Sequence, residues 1–359
     1  MMKSLGTVVL GAGVIGLVCA IASTANAAYS MYGTGMSVET GTVANGVLHV
    51  QCANNLWNST AGSGSLANTY ENTFSGYACD DYAKAWLVTA IYGGSNLNTA
   101  KITATVNGHT IASPTVGNLD GVNDTNANVY GSSVAGIWVL GLAIDPSYLH
   151  TDGSADVVSV AVTDKTQGAT ALFDGRSYYQ TLVTISQRAG LDSTLDYAFA
   201  TGAGDIGTST GYVTSRILNL GGLGGPSFGR ADLYAGYLYG DANQKDSLRL
   251  NGVSLLGDDV ATKNGTASYP ADFVHTSLSA GGLLASNNTL KFTVDAADFP
   301  AGSSLEGSLR PEFAVVGVSH AVPEPGTVLL LAAGAIALPF FAKSRRRQRS
   351  RPSDVSPEE

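Results

Sequence analysis

The amino-acid sequence predicts an all-β protein with two tandem β-sandwich domains, flanked by an N-terminal signal peptide and a C-terminal transmembrane helix. Short runs of alternating or β-branched residues recur along the chain, and clusters of Gly, Asn, Asp, Ser and Thr separate them. Windows of about twelve residues between Ala28 and Val322 lack the 3.6-residue apolar period of a helix. Short strands with polar turns are typical of sandwiches and jelly rolls rather than of α/β layers.

The strand-like runs alternate apolar and polar residues or are rich in Val, Ile, Thr and Tyr. Because successive side chains of a strand point to opposite faces, each run can bury one face. The predicted strands are Val47–Cys52, Ala85–Tyr92, Lys101–Val106, Gly136–Ile144, Asp156–Thr163, Tyr178–Ser186, Tyr212–Leu220, Ala231–Tyr239, Ser247–Leu250, Thr289–Val294 and Phe313–Ser319.

The order of motifs repeats in the two halves. A basic-Ala-x-Leu run at 84–87 precedes Asn107-Gly108, and a second at 230–233 precedes Asn251-Gly252. Each Asn-Gly pair lies between apolar runs, which predicts a two-residue type I′ hairpin turn. Arg176 and Arg310 then precede the closing strand of each half. Two unrelated sandwiches can share such turns by chance, but the repeat favours a duplication with domains 28–189 and 190–321.

An alanine-leucine strand, an Asn-Gly hairpin and a paired closing strand resemble jelly-roll domains of the galactose-binding or carbohydrate-binding type. They also resemble tandem β-sandwich repeats of prokaryotic surface proteins. This resemblance implies a fold class rather than a ligand.

The first 27 residues have the pattern of a secretory signal peptide. Lys3 precedes an apolar core, and Ala25-Asn26-Ala27 is a small-residue cleavage site, which predicts Ala28 as the mature N-terminus. Gly11, Gly13 and Gly16 match a dinucleotide-binding GxGxxG. That motif requires a βαβ unit, whereas turn-rich sequence follows here, so the segment does not predict a cofactor site.

The last forty residues form a three-part tail. Val322, Pro323, Glu324 and Pro325 precede an apolar stretch at 326–342, which at 1.5 Å per residue forms a helix of about 25 Å. This length is enough for a thin bilayer, and a basic cluster after it predicts the cytoplasmic side. The cluster comprises Lys343, Arg345, Arg346, Arg347 and Arg349. Residues 352–359 are expected to be disordered.

This tail, at 322–351, resembles the PEP-CTERM sorting signal of Gram-negative envelope proteins. The resemblance implies recognition and processing by a membrane-embedded exosortase. It also implies membrane anchoring first and a place in the envelope or outside the cell after processing. Tails of the same type occur on some ice-binding proteins, but the Thr residues of this chain lack the fixed period that an ice-binding face requires.

The segment between the two ends is acidic. The formal net charge of −9 falls to −12 for residues 28–322, because 7 of the 19 Lys and Arg residues but only 4 of the 28 Asp and Glu residues lie outside it. A negative surface repels phosphate backbones, so we expect no nucleic-acid partner. The charge favours solubility, and the alternative is attraction of divalent cations.

Cys52 and Cys79 are the two cysteines of the expected mature chain. In an exported protein an even pair predicts a disulfide, which here closes a loop of about 28 residues and contributes roughly 3 kcal/mol. Free thiols are the alternative. A metal site is disfavoured, since the chain lacks a CxxC motif.

Two turn-like segments carry oxygen donors at every second or third position, as calcium-binding loops do. Asx-turns explain the same residues without an ion. No cofactor other than calcium is expected. The candidate ligands are Asp120, Asn123, Asp124, Asp241, Asn243 and Asp246.

Exposed aromatic rings are typical of sugar-binding sites. Trp86 and Trp138 lie in core-like strands, and we expect them to be buried. Trp57 lies in a polar loop and is the predicted stacking residue. The other aromatic candidates are Tyr178, Tyr179, Tyr234, Tyr237 and Tyr239.

The sequence predicts no catalytic residues. Ser209 lies in a GxSxG, but its flanks are a polar loop and a strand rather than the strand and helix of a nucleophile elbow. The five histidines lack metal-binding spacing. We therefore expect a secreted, non-enzymatic protein. The resemblance of its tail to the sorting signals of bacteria that make exopolysaccharide implies a structural or adhesive role at the cell surface or in the matrix, in association with exopolysaccharide. A carbohydrate-binding module is the second hypothesis and a glycan hydrolase the third.

Overall fold

A computed structural model describes residues 36–54, 67–93, 99–117, 129–134, 137–165, 174–202, 204–223, 229–238, 240, 243–260, 271–278, 283 and 286–321. Within them the chain is all β, with nineteen strands and two 3₁₀ turns, Pro146–Tyr148 and Ala296–Asp298. No helix in these ranges is long and apolar enough to cross a membrane. The predicted signal peptide and the predicted helix at 326–342 lie outside them.

The first half of the chain forms two five-stranded sheets. Inner sheet 1 has the order β2-β11-β4-β9-β8, and outer sheet 1 has the order β3-β10-β5-β6 with β7 beside β5. The strands are β2 (Gly46–Asn54), β3 (Ala67–Phe74), β4 (Asp81–Tyr92), β5 (Thr99–Val106), β6 (His109–Ala112), β7 (Thr115–Gly117), β8 (Val129–Val134), β9 (Ile137–Ala143), β10 (Asp156–Asp164) and β11 (Arg176–Gln187).

The second half forms a five-stranded and a four-stranded sheet. Inner sheet 2 has the order β1-β12-β19-β14-β17, and outer sheet 2 has the order β13-β18-β15-β16. The strands are β1 (Ser37–Ala44), β12 (Ser193–Thr201), β13 (Ser215–Gly221), β14 (Arg230–Leu238), β15 (Ser247–Leu250), β16 (Val253–Ser254), β17 (Ala271–Ser277), β18 (Asn288–Thr293) and β19 (Arg310–Ala321).

The two halves share one strand order. The order β2-β11-β4-β9 of inner sheet 1 corresponds to β12-β19-β14-β17 of inner sheet 2, and the order β3-β10-β5-β6 corresponds to β13-β18-β15-β16. β1, β7 and β8 lie outside this correspondence. The predicted Asn-Gly hairpin turns are confirmed: φ is positive at Asn107 and Gly108 and again at Asn251 and Gly252. A shared order is what a duplication predicts, while the boundaries 28–189 and 190–321 stay a prediction.

β1 crosses between the halves. It precedes β2 by a single residue, Asn45, with φ of 53°. It nevertheless pairs with β12, from Ser37 opposite Thr201 to Ala44 opposite Thr194. The predicted boundaries assign β1 to the first half, whereas its hydrogen bonds lie in the second.

The four sheets are stacked in layers, with three apolar cores between them. One core lies between inner and outer sheet 1 and a second between inner and outer sheet 2. The third lies between the two inner sheets, where Trp86 of β4 stacks on Phe199 of β12 at 4.7 Å between ring centroids. The predicted burial of Trp86 and Trp138 is confirmed.

The central strands of the inner sheets, β4, β11 and β19, are buried on both faces. In β4, Leu87 and Ile91 face the first core, whereas Val88 and Ala90 face the third. Gly317 of β19 allows close packing at the third core, because an added Cβ would lie 2.8 Å from Leu48 Cδ2 and would force that side chain to shift.

Replacing Trp86 by Ala tests the third core. The ring is almost completely buried, so we expect its loss to lower the free energy of unfolding by about 3–5 kcal/mol. Equilibrium chemical denaturation measures this change. Ile217→Ala is the control: Ile217 is 64% exposed on β13, and its truncation should cost less than about 0.5 kcal/mol. Equal effects would contradict the packing described.

Candidate functional site

A polar surface lies on the strip of inner sheet 2 formed by β14 and β17. In their antiparallel register Asp232 is opposite Ser277 and Tyr234 is opposite His275, so these four side chains share one face. Arg230, two residues before Asp232, is on the same face. We call Arg230, Asp232, Tyr234, His275 and Ser277 the β14–β17 shelf.

Three donors hold the Asp232 carboxylate. His275 Nε2 and Ser277 Oγ each lie 3.0 Å from Oδ1, and Arg230 Nε donates to Oδ2 at 2.5 Å. Burial disfavours the ionised carboxylate, but the hydrogen bonds from His275, Arg230 and Ser277 outweigh it and lower the pKa of Asp232. The site therefore holds a fixed anion whose side chain is 11% exposed and whose four lone pairs are not all used by the three donors.

Two rings form a platform beside this carboxylate. Tyr234 and His275 are stacked with centroids 4.3 Å apart and an interplanar angle of 12°. The imidazole is the more accessible ring, since the His275 side chain is 45% exposed. Arg230, 71% exposed, stands at the rim. The shelf thus combines an apolar flat surface, an oriented acceptor and an exposed cationic donor.

The shelf does not have the geometry of a Ser-His-Asp triad. In a triad the imidazole lies between the serine and the aspartate, so that it can take the hydroxyl proton. Here Asp232 lies between His275 and Ser277, and the Ser277 hydroxyl donates a hydrogen bond to the carboxylate instead of to the imidazole. The GxSxG serine, Ser209, lies in a turn closed by the Tyr212 N–H, as the predicted polar loop requires.

The first half of the chain provides a second ring pair near the shelf. Tyr77 stacks on His49 with centroids 3.7 Å apart, and Tyr77 and Cys52 are near enough to act electrostatically on Tyr234. Burial, then Asp232, raises the pKa of Tyr234. Burial, then Arg188, lowers the pKa of His49 to about 4, so its imidazole is neutral at pH 7. The shelf is therefore bordered by groups of both halves.

A buried acid lies under the same region. Glu312 of β19 and Tyr179 of β11 are both 0% exposed. Glu312 lies at an irregularity in the pairing of β14 with β19, where Gly236 pairs with Phe313 but Tyr237 pairs with Pro311. Burial raises the pKa of Glu312 to about 8, although Tyr179 and Arg310 act to lower it. Arg310 itself donates to Asp205 through Nε at 2.5 Å and Nη2 at 2.9 Å. Glu312 is therefore largely protonated at pH 7.

The predicted disulfide between Cys52 and Cys79 is wrong, because both thiols are free. Positions along β11 show how far apart the two cysteines are. Cys52 is opposite Thr181, whereas the N–H of Asp80, the residue after Cys79, donates a hydrogen bond to the Gln187 carbonyl. Six residues of strand separate these levels, or roughly 20 Å, and a disulfide requires Cα atoms within about 7 Å. Cys52 Sγ accepts a hydrogen bond from Thr181 Oγ1 instead.

Most other predicted site residues lie outside the described ranges. Of the calcium candidates, Asn243 and Asp246 are described. The Asn243 N–H donates to Asp259, and buried Asp246 accepts from the Val260 N–H. The described residues include no group of three His, Cys, Asp or Glu that could hold a metal. Calcium binding stays a prediction. The predicted residues that lie outside the described ranges are Trp57, Asp120, Asn123, Asp124, Asp241, Tyr239, Val322, Pro323, Glu324, Pro325, Lys343, Arg345, Arg346, Arg347 and Arg349.

Tyr234 is an aromatic candidate from the sequence, whereas its partners on the shelf were not predicted. Asp232 and Tyr234 alternate along the predicted strand Ala231–Tyr239, and Arg230 directly precedes it in the same period-2 pattern, which was the available signal. His275 and Ser277 lie on β17, which was not predicted as a strand. The pairing of β14 with β17, which brings these residues together, could therefore not be predicted from the sequence.

Glu312→Gln tests the buried acid. Because the pKa of Glu312 is higher in the folded than in the unfolded state, its protonation contributes to the free energy of unfolding. This contribution is fully present below the ordinary pKa of 4.5 and is lost as pH rises through about 8. We expect the unfolding free energy of the wild type to fall by a few kcal/mol between these pH values relative to the variant. Chemical denaturation across the pH range measures it. Glu71→Gln, at an exposed position of β3, should leave the pH profile unchanged; parallel curves for wild type and E312Q would refute the assignment.

Three solved structures share weak similarity with the chain. BuGH86 in complex with neoagarooctaose is 12% identical, with a TM-score of 0.24 over 79% of this chain and 34% of that one. The uncharacterized protein lmo2446 from Listeria monocytogenes EGD-e is 9% identical, with a TM-score of 0.23 over 79% and 22%. Dimeric latent PorU from Porphyromonas gingivalis is 10% identical, with a TM-score of 0.27 over 77% and 23%.

The chain spans about a third or less of the length of these proteins, and similarities this low say nothing about function. No curated protein matches the chain. The tail does match a family: residues 321–347 are a PEP-CTERM protein-sorting motif, as the sequence predicted. The motif implies an exported protein that is held at the membrane and processed by an exosortase.

Proposed function

We propose that this exported protein is a non-catalytic structural and adhesive component of the cell surface or extracellular matrix, and that it holds carbohydrate on the β14–β17 shelf. The observation that carries the proposal is the combination, on one face, of the Tyr234–His275 ring stack and the oriented Asp232 carboxylate. The sorting motif supports the place of action, and the shelf supports the ligand class.

The shelf matches the chemistry of a pyranose. One face of a sugar ring is lined by C–H groups, which pack on a flat aromatic surface, and its rim carries hydroxyls that donate and accept hydrogen bonds. The exposed His275 ring offers the first kind of contact. Asp232 offers acceptor lone pairs and Arg230 offers donors, which together fix the orientation of a hydroxyl pair.

The shelf is also pre-organised. Its residues lie on two hydrogen-bonded strands, and Asp232 has three donors already in place. Little side-chain entropy is then lost on binding, which favours affinity from a small contact. The net charge of −12 for residues 28–322 disfavours polyanions, so the ligand proposed is a neutral polysaccharide.

Removing the platform tests this ligand class. We expect His275→Ala and Tyr234→Ala to weaken binding of the full-length protein to neutral polysaccharides at least about tenfold, or about 1.4 kcal/mol. Affinity electrophoresis in gels that contain each polysaccharide measures it. His109→Ala is the matched control, because His109 also stacks on a tyrosine, Tyr148, at 4.4 Å but far from the shelf. Binding that survives both shelf substitutions would refute the site.

The sorting signal is tested separately. We expect the protein recovered from the native cell surface to lack Arg346, and Glu324→Ala to leave the intact tail in membranes, because the motif is the recognition element of the processing enzyme. Fractionation with mass spectrometry of the C-terminus distinguishes these states. Equal processing of wild type and variant would contradict this role of Glu324.

A further inference from the structure

The sorting motif begins where a central strand ends. β19 lies between β12 and β14, and its last residue, Ala321, is opposite Ser193 of β12. Residue 321 is also the first residue of the sorting motif. The tail therefore leaves directly from the end of inner sheet 2, without a linker between sheet and motif.

The length of the tail then limits how far this end can stand from the membrane. Four residues, 322–325, separate Ala321 from the apolar stretch at 326–342. Fully extended, they reach about 14 Å. The headgroup layer on one side of a bilayer is about 5–8 Å thick. With the apolar stretch in the hydrocarbon core, the end of the sheet lies less than about 10 Å from the outer edge of the headgroups.

The turn at 188–192 projects beyond this end of the sheet. It joins β11 to β12, and since Ser193 is level with Ala321, the turn lies on the side toward which the tail leaves. Leu191 is its apolar residue and is 40% exposed. We call Arg188, Leu191, Asp192 and Arg230 the tail-exit end.

The charges at this end nearly balance. Arg188 and Asp192 are both exposed, and Arg230 is paired with Asp232. Asp80 accepts a hydrogen bond from the Ala189 N–H of the turn. The apolar Leu191 and the short tail, rather than net charge, are therefore the features that favour contact with a bilayer.

We propose that the tail-exit end rests on the membrane surface while the tail is attached, with Leu191 seated in the headgroup layer. The partner that contacts this surface is therefore lipid, rather than another protein. The contact orients the strands of inner sheet 2 along the membrane normal and places the opposite end of the sheet, about 36 Å away along the twelve residues of β19, outermost. Exosortase processing releases the contact.

Photo-crosslinking tests the proposal. A benzophenone amino acid in place of Leu191, in the full-length protein reconstituted in vesicles of phosphatidylethanolamine and phosphatidylglycerol, should yield lipid adducts. Val213 is the matched control position: it is 44% exposed, but it pairs with Ile206 near the start of β19. We expect at least about tenfold more lipid adduct at 191 than at 213, by mass spectrometry.

Equal adducts at the two positions, or adducts at 191 with protein instead of lipid, would overturn the proposal. A second arm inserts a Gly-Ser linker of about 12 residues between Ala321 and Val322, which adds roughly 20 Å of average reach. The lipid adducts at 191 should then fall at least about fivefold. Unchanged adducts would show that the short tail does not impose the contact. The insertion leaves every strand intact, and an unchanged unfolding midpoint verifies the fold.

Discussion

The packing of the two inner sheets against each other is the interaction on which the rest of this structure depends. Each sandwich buries its own core, but the third core turns two sandwiches into one stack of four layers. It requires that β4, β11 and β19 present apolar side chains on both faces, and that Gly317 leave room for Leu48. The shelf exists because β14 and β17 extend past the area that this packing covers.

The same packing explains the unusual state of Glu312. A carboxyl group on a strand buried on both faces loses its hydration, and its neighbours Arg310 and Asp205 already pair with each other. Protonation is the least costly response, because a neutral acid avoids most of the penalty of a buried charge. Arg176 and Asp174 show the paired alternative, since the guanidinium donates two hydrogen bonds to the carboxyl group at 2.5 and 2.7 Å.

Local signals in the sequence predicted much of the fold, whereas the features set by distant pairing were missed. The Asn107-Gly108 and Asn251-Gly252 turns were predictable, since only their own residues determine positive φ. β3 reads Ala-Asn-Thr-Tyr-Glu-Asn-Thr-Phe and was missed, because its burial depends on β10. The disulfide was wrong for a related reason: spacing along the chain does not reveal that Cys52 lies beside the middle of β11 and Cys79 near its end. The shelf likewise depends on the register of β14 with β17.

The place of β1 has a consequence for how the chain matures during export. A secreted polypeptide emerges with its N-terminus first, so Ser37 reaches the exterior long before its partner Thr201. β2, which follows β1 after Asn45, has a similar delay, because its partner β11 spans Arg176–Gln187. Such long-range pairing is slow and leaves an edge open to wrong partners. The two strands made earliest therefore find their partners only after residues 176–201 have emerged, and inner sheet 2 is complete only when β19 has followed.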